Sequence, residues 1–221
     1  MTSGRSVEIH ADGVRLAGDV RTPPDAIGLV VFAHGSGSSR LSPRNVQVAT
    51  ALNAAGLATL LFDLLTEAEA ADRRLVFDIG LLAERLVAAT RWAWQDGELG
   101  ELPGGYFGAS TGAAAALGAA AVLGDRIGAV VSRGGRPDLA GAHLPEVTAP
   151  TLLIVGGDDA TVLGLNEEAA ASLRCEHELA VVPGASHLFE EPGALERAAE
   201  LAIGWFTQRL LPTGAGGWTP E

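Results

Sequence analysis

A serine hydroxyl attacks a carbonyl only when a base takes its proton, and the usual base is a histidine oriented by a carboxylate. In this 221-residue chain the serine that stands out is Ser110, in Gly108-Ala-Ser-Thr-Gly112, where an apolar run meets a run of small residues. The G-x-S-x-G string alone is weak evidence in a chain with 29 glycines. Its placement says more. A serine on a tight strand-to-helix turn is forced into an unfavourable backbone conformation, and small residues two positions to either side leave room for it. The helix that follows would bring free N–H groups and partial positive charge beside a developing oxyanion. The competing reading is a serine capping an ordinary helix.

Five histidines compete for the role of base. His10 falls in a predicted edge hairpin, His143 in a Pro-bounded loop and His177 just before a strand, and all three are expected to face solvent. His34 ends a strand. His187, in Pro183-Gly-Ala-Ser-His-Leu-Phe189, follows the last strand, beyond the C-terminal sheet edge where open α/β sheets gather their sites. The acid is expected after the penultimate strand, where Asp158 and Asp159 stand side by side in Gly156-Gly-Asp-Asp-Ala-Thr-Val162. Periodicity does not choose between these neighbours. Asp138, after the preceding strand, is the runner-up, and each of the three also reads as a solvated loop aspartate.

The other polar cluster at that edge is Ser132-Arg-Gly-Gly-Arg-Pro-Asp138. Arg133 and Arg136 could clamp a carboxylate or phosphate on a substrate. Pairing of Arg133 with a loop acid is the favoured expectation. All 15 basic residues are arginine, so mechanisms that need a lysine have no residue to act through: Walker A phosphate loops, Schiff bases and pyridoxal phosphate. The single cysteine, Cys175, excludes an intrachain disulfide and a cysteine-cluster metal site. A formal charge of −12 argues against nucleic acid or an anionic membrane as partner, and points to a neutral small molecule. The opening residues, MTSGRSVEIHADG, carry no apolar core of a secretory signal. A cytoplasmic protein with no cofactor and no metal, monomeric or homodimeric, is the expectation.

The elements that must position these residues alternate between strand and helix. A hairpin is predicted from Val7–Ile9 and Val14–Val20 around Ala11-Asp-Gly13, then a buried strand at Gly28–Ala33. A helix follows with Val46, Ala49, Leu52 and Ala55 on one face, ended by Gly56, and then a strand at Ala58–Phe62. One long helix is expected from about Leu75 to Trp94. Strands at Gly105–Ala109, Ile127–Ser132, Thr151–Val155 and Glu178–Val182 are interleaved with helices at Thr111–Leu123 and Asn166–Leu173. Pro192 is placed in the first turn of a last helix running to about Leu210. The uncharged stretch from Gly104 to Gly124 reads as strand plus helix rather than a membrane span. The class is α/β with a mostly parallel sheet, in one domain over residues 1–211, with a flexible tail at 212–221.

On these motifs the chain resembles the α/β-hydrolases, and within them the compact dienelactone-hydrolase-like group. His34-Gly35-Ser36 resembles the loop after the third strand, Gly108–Gly112 the nucleophile elbow, Gly156–Val162 the acid loop and Gly184–His187 the histidine loop. The resemblance implies a twisted, mostly parallel sheet of about eight strands, helices on both faces and no separate lid domain. It selects Asp159 over Asp158. It also implies a catalytic set of Ser110, Asp159 and His187, with the backbone N–H groups of Ser36 and Thr111 as oxyanion donors, and His34 as a brace for its loop.

Dienelactone hydrolases proper carry a cysteine where Ser110 stands. The expected activity is therefore serine-dependent cleavage of small carboxylic esters, lactones or thioesters in a shallow pocket, with dienelactone-type lactone hydrolysis as the alternative. From another class, an idle α/β-hydrolase fold could serve as a binding module. A dinucleotide-binding fold fails because His34–Ser39 lacks the G-x-G-x-x-G spacing.

Overall fold

The computed structural model describes residues 2–210. The tail expected at 212–221 lies outside them. One eight-stranded sheet runs through the described residues in the order β1-β2-β4-β3-β5-β6-β7-β8. Its strands are β1 Ser3–Ala11, β2 Val14–Thr22, β3 Gly28–Ala33, β4 Leu57–Phe62, β5 Gly104–Ala109, β6 Ile127–Arg133, β7 Thr151–Gly156 and β8 His177–Val182. The β1–β2 and β2–β4 pairs are antiparallel and the remaining pairs parallel. Strands β3, β4, β5 and β7 are buried from end to end, as apolar runs covered on both faces must be.

Two apolar layers flank the sheet. On one face, Leu82, Leu86 and Ala89 of α4 (Ile79–Gln95) and Leu117 of α5 (Thr111–Leu123) pack with Val31, Tyr106 and Val130. On the other, Val48 and Leu52 of α1 (Pro43–Ala54) and Ala198, Ala202 and Phe206 of α7 (Ala194–Arg209) pack with Phe32, Phe107 and Val131. The alanine-rich α5 is buried from Thr111 to Ala120, which only small side chains permit for a helix enclosed on every side. Among the described residues no helix is long and apolar enough to cross a membrane.

The chain crosses from β3 to β4 on one side, then returns to place β5 on the other side of β3. Helix α1 therefore leaves β3 toward one face and α5 leaves β5 toward the opposite face. That divergence opens a crevice at the carboxyl ends of the two strands.

Three helix starts differ from the sequence expectation. The long helix begins at Ile79, because the Asp78 carboxylate accepts the Leu81 N–H at 3.0 Å. Two single turns, α2 (Glu67–Ala70) and α3 (Arg73–Val76), fold the segment before it. Helix α6 runs Ala160–Ser172 and starts six residues early, with Asp159 as its cap, because β-branched and glycine residues conceal its first turn. The last helix opens at Ala194 behind Gly193, which leaves Pro192 outside it. A 3-10 stretch at Pro137–Glu146, punctuated by Gly141 and Pro145, carries no periodic signal and goes unanticipated.

Candidate active site

Ser110 joins β5 to α5 with φ 51° and ψ −124°, a backbone conformation that costs a non-glycine residue of order 1–3 kcal/mol. Its neighbours make the turn possible. A Cβ at Gly108 would lie 2.5 Å from Ala113 Cα, and one at Gly112 would run into the carbonyl oxygens of Ala33 and His34. The elbow is thus pressed against the end of β3. Ser110 N–H donates to the Arg133 carbonyl and Arg136 N–H to the Ser110 carbonyl, which ties the strained residue to the β6 side as well.

His187 stands on the loop after β8, with its Nε2 3.5 Å from Ser110 Oγ. Its Nδ1 donates to Asp159 Oδ2 at 2.7 Å. The carboxylate fixes the tautomer, leaving Nε2 as an acceptor toward the serine. The serine contact is long for a hydrogen bond, and such contacts tighten when substrate closes on the site. Asp159 also caps α6, its Oδ1 accepting the Val162 N–H at 3.4 Å. Asp158 is exposed, and Asp138 is taken by Arg136. The acid and histidine loops are stitched together by Asp158 N–H to the Ala185 carbonyl and Gly157 N–H to the Val182 carbonyl. Glu191, which the sequence did not single out, accepts the Ser186 N–H at 3.0 Å, and hydrogen bonds from Ser186 hold its carboxyl below the usual range.

The remaining histidines lie elsewhere. His10 and His143 sit beside Glu8 and Glu146 on the surface, and exposed His177 bonds the Cys175 carbonyl. His34 bonds the Gly35 carbonyl through Nδ1 and accepts the Leu64 N–H at Nε2, each at 3.0 Å. It links the loop after β3 to the end of β4, and burial pushes its imidazole pKa down.

The oxyanion expectation changes in one respect. Thr111 heads α5, where first-turn N–H groups have no intrahelical acceptor. The Ser36 N–H, expected as a second free donor, instead donates to Thr111 Oγ1 at 2.8 Å. A hydroxyl within reach satisfies that amide while no substrate oxygen does. The arginine expectation is also corrected. It is Arg136 that takes the loop acid, bonding Asp138 at 2.8 and 2.7 Å. Arg133 is 6% exposed, and among the described residues its Nε and Nη1 have no acceptor. Burial, with Arg44 adding like-charge repulsion, pushes its guanidinium down to about 10.

A cavity of about 370 Å³ opens beside the His34–Ser39 loop, walled by Leu64, Leu65, Val76 and Leu82. Its size suits a small molecule. Leu64 and Leu65 come from the stretch after β4, which the sequence showed only as a charged loop, Val76 from α3 and Leu82 from α4. A larger cavity, about 500 Å³, lies by β1, β2 and α1; neither cavity is lined by Ser110, Asp159 or His187, and of the residues at the site only Ser36 lines the smaller one.

No family model matches the chain. Two Mycobacterium tuberculosis proteins that carry the provisional name phosphoribosyl transferase are 56% identical over 211 residues, covering 96% of this chain and 48% of theirs. The chain thus spans about half the length of the curated relatives it matches. Among solved structures, Est1E from Butyrivibrio proteoclasticus shares the fold at 18% identity and a TM-score of 0.79, over 93% of this chain and 98% of its own. A dienelactone hydrolase from Anabaena variabilis superposes with a TM-score of 0.92, covering 95% of this chain and 99% of its own. At 54% sequence identity to that enzyme over nearly the full length of both, the chain belongs to the dienelactone hydrolase family of α/β-hydrolases.

Proposed function

We propose that this chain is a serine hydrolase that cleaves small carboxylic esters, with lactones and thioesters as related substrates, through an acyl-enzyme. The observation that carries this reading is the continuous chain from Ser110 Oγ through His187 to Asp159. His187 Nε2 accepts the Ser110 proton as Oγ attacks the ester carbonyl. Asp159 holds the imidazole in the required tautomer and stabilises the imidazolium that forms. The carbonyl oxygen becomes an oxyanion beside the Thr111 N–H at the head of α5. As that oxygen arrives, the Ser36 N–H exchanges the Thr111 hydroxyl for it and becomes the second donor. Collapse of the tetrahedral intermediate expels the alcohol, which takes the proton back from His187. Water then repeats the sequence on the acyl-enzyme.

The 370 Å³ cavity, which Ser36 lines beside the proposed oxyanion donors, supports a small substrate. The transferase name of the mycobacterial relatives describes chains about twice as long and is not carried over. The test is Ser110→Ala, which is expected to abolish both hydrolysis of p-nitrophenyl acetate and labelling by a fluorophosphonate. Full labelling of that variant overturns the assignment.

A further inference from the structure

The position of His187 decides which half of an ester the cavity beside the His34–Ser39 loop receives. The proton that His187 Nε2 takes from Ser110 leaves with the alcohol, so the alcohol oxygen must face His187 when the tetrahedral intermediate collapses. In the sheet, Asp159 and His187 follow β7 and β8, on one side of β5, whereas the cavity is built around the segments that follow β3 and β4, on the other side. With the oxyanion at the head of α5, the remaining substituent on the carbonyl carbon is the acyl group, and it turns toward β3 and β4. The cavity borders the nucleophile there. Gly35 and Ser36 line it, a Cβ on Gly35 would lie 3.0 Å from Ser110 Cβ, and the Ser36 N–H donates to Thr111 Oγ1 at 2.8 Å.

Its walls are fixed by bonds of their own. Leu64 is fully buried, its N–H held by His34 Nε2 at 3.0 Å, and Leu82 of α4 is 3% exposed. Helix α2 supplies Glu67 and Ala70 and is pinned to α4, because the Glu69 carboxylate closes the Thr66 capping box and takes Arg85 Nη2 at 3.1 Å. Helix α3 follows two residues later and supplies Val76.

Charge gives the cavity a second property. Asp63 and Glu67 are the charged residues that line it, and both are acidic. Arg40, which bonds Asp63 at 2.6 Å, lines the larger cavity instead. Burial pushes the His34 imidazole pKa down, so that wall is neutral at pH 7. A carboxylate on the acyl group would give up its water against leucine and valine side chains, beside two like charges and with no arginine among the described residues that line the space. An uncharged acyl group avoids both costs, and each methylene it buries is worth about fourfold in binding. We propose that this cavity is an acyl-group pocket that selects compact, uncharged, apolar acids over anionic ones, with Val76 limiting its size and Glu67 opposing acids. Its catalytic meaning rests on the Ser110 reading, whereas its preference for apolar groups rests on Leu64, Val76 and Leu82.

Ethyl 4-methylpentanoate, ethyl acetate and monoethyl succinate are compared by pH-stat; the first acyl group has nearly the shape of succinyl, with an isopropyl group in place of the carboxylate. The 4-methylpentanoate is expected to have a kcat/KM at least about tenfold above both others. Moving the charge to the alcohol, as in 4-(4-methylpentanoyloxy)benzoate against phenyl 4-methylpentanoate, is expected to change kcat/KM by less than about threefold, because that half lies outside the pocket. Val76→Phe is expected to lower the ratio of 4-methylpentanoate to acetate about tenfold, mainly through KM. Glu67→Gln, at an exposed position, is expected to raise the ratio of succinate to 4-methylpentanoate about threefold, and it decides the matter with the ester series if Val76→Phe does not fold. Equal kcat/KM for the three ethyl esters, an equal penalty for charge on either half, or unchanged ratios in the variants overturns the pocket and leaves the serine chemistry in place. Binding without chemistry is read by melting temperature with 4-methylpentanamide and with succinamate. A saturable rise with the neutral amide alone, in a chain that hydrolyses none of the esters, overturns the serine reading and leaves the apolar site standing; no rise in such a chain overturns both.

Discussion

Asp159→Asn isolates one oxygen of the proposed relay, because its two carboxylate oxygens have separate duties. Oδ1 caps α6 through Val162 N–H, and Oδ2 accepts the proton on His187 Nδ1. Asparagine is as good a cap as aspartate, so the helix keeps its first turn. At the other position the amide presents an N–H where an acceptor stood. His187 then turns its Nδ1 lone pair toward the amide and carries its proton on Nε2, facing Ser110. In that tautomer the imidazole cannot accept the serine proton.

A loss of roughly 10⁴ in kcat is expected, or about 5 kcal/mol of transition-state stabilisation. The melting temperature should hold to within about 2 °C, since the cap is preserved. Asp159→Ala instead loses the cap as well, costing about 1 kcal/mol, or about 2–4 °C in a domain of this size. Steady-state hydrolysis of p-nitrophenyl acetate, the rate of fluorophosphonate labelling and a thermal melt read the three quantities. Asp158→Asn is the control: that residue is exposed and bonds the histidine loop through its backbone, so activity should stay within about twofold. Retention of more than about 1% of kcat in Asp159→Asn, or an equal fall in Asp158→Asn, would refute the relay.

Gly112→Ala drives a methyl group into the Ala33 and His34 carbonyls, backbone atoms that give way only if α5 and the loop after β3 separate. Overpacking of this kind costs about 1–3 kcal/mol, and a displacement near 1 Å at the serine costs about 10²-fold in rate, so a variant with unchanged melting and kcat contradicts the packing argument. The pH dependence of stability offers a second check, because burial lowers the His34 pKa below its ordinary 6.5. The unfolded chain therefore takes up that proton first, and stability falls as the pH drops below about 6.5 toward the folded value. The melting temperature should decline between about pH 7 and pH 5.5, and less steeply in His34→Gln; equal slopes count against the buried neutral imidazole. The lowered carboxylates of Glu69, Asp72 and Glu191 act in the same direction, but from ordinary values of 4.5 or below, outside that window.

What the sequence reveals and conceals at this site follows from the range of the interactions involved. The environment of Ser110 is legible because the turn, its two glycines and the small-residue helix are contiguous, and steric demands at i ± 2 are written locally. The choice between Asp158 and Asp159 is not, because adjacent residues point apart according to where the next helix begins. Periodicity places that start at Asn166, whereas Asp159 caps a helix that starts at Ala160. Arg133 changes character for a similar reason. Ending β6 at Ser132 leaves Arg133 in a loop beside acids; the strand's one extra residue turns it inward, and Asp138 goes to Arg136 two positions away. The bond from Ser36 N–H to the Thr111 hydroxyl joins residues 75 apart, and no local pattern encodes it.

The lysine-free composition acquires a second meaning at Arg133. Read alone it only removes mechanisms, yet the cation at this position is buried without a counter-ion among the described residues. Burial brings the Arg133 guanidinium down to about 10, where it remains cationic at neutral pH. A lysine, starting from about 10.4, would be drawn by the same burial toward neutral pH and would begin to shed its charge. It would also offer a point charge in place of a planar fork, and a weaker face to the neighbouring Phe189 ring. At the end of β6, where Arg133 pairs in register with Ala109, the fold buries this arginine beside the turn that strains Ser110.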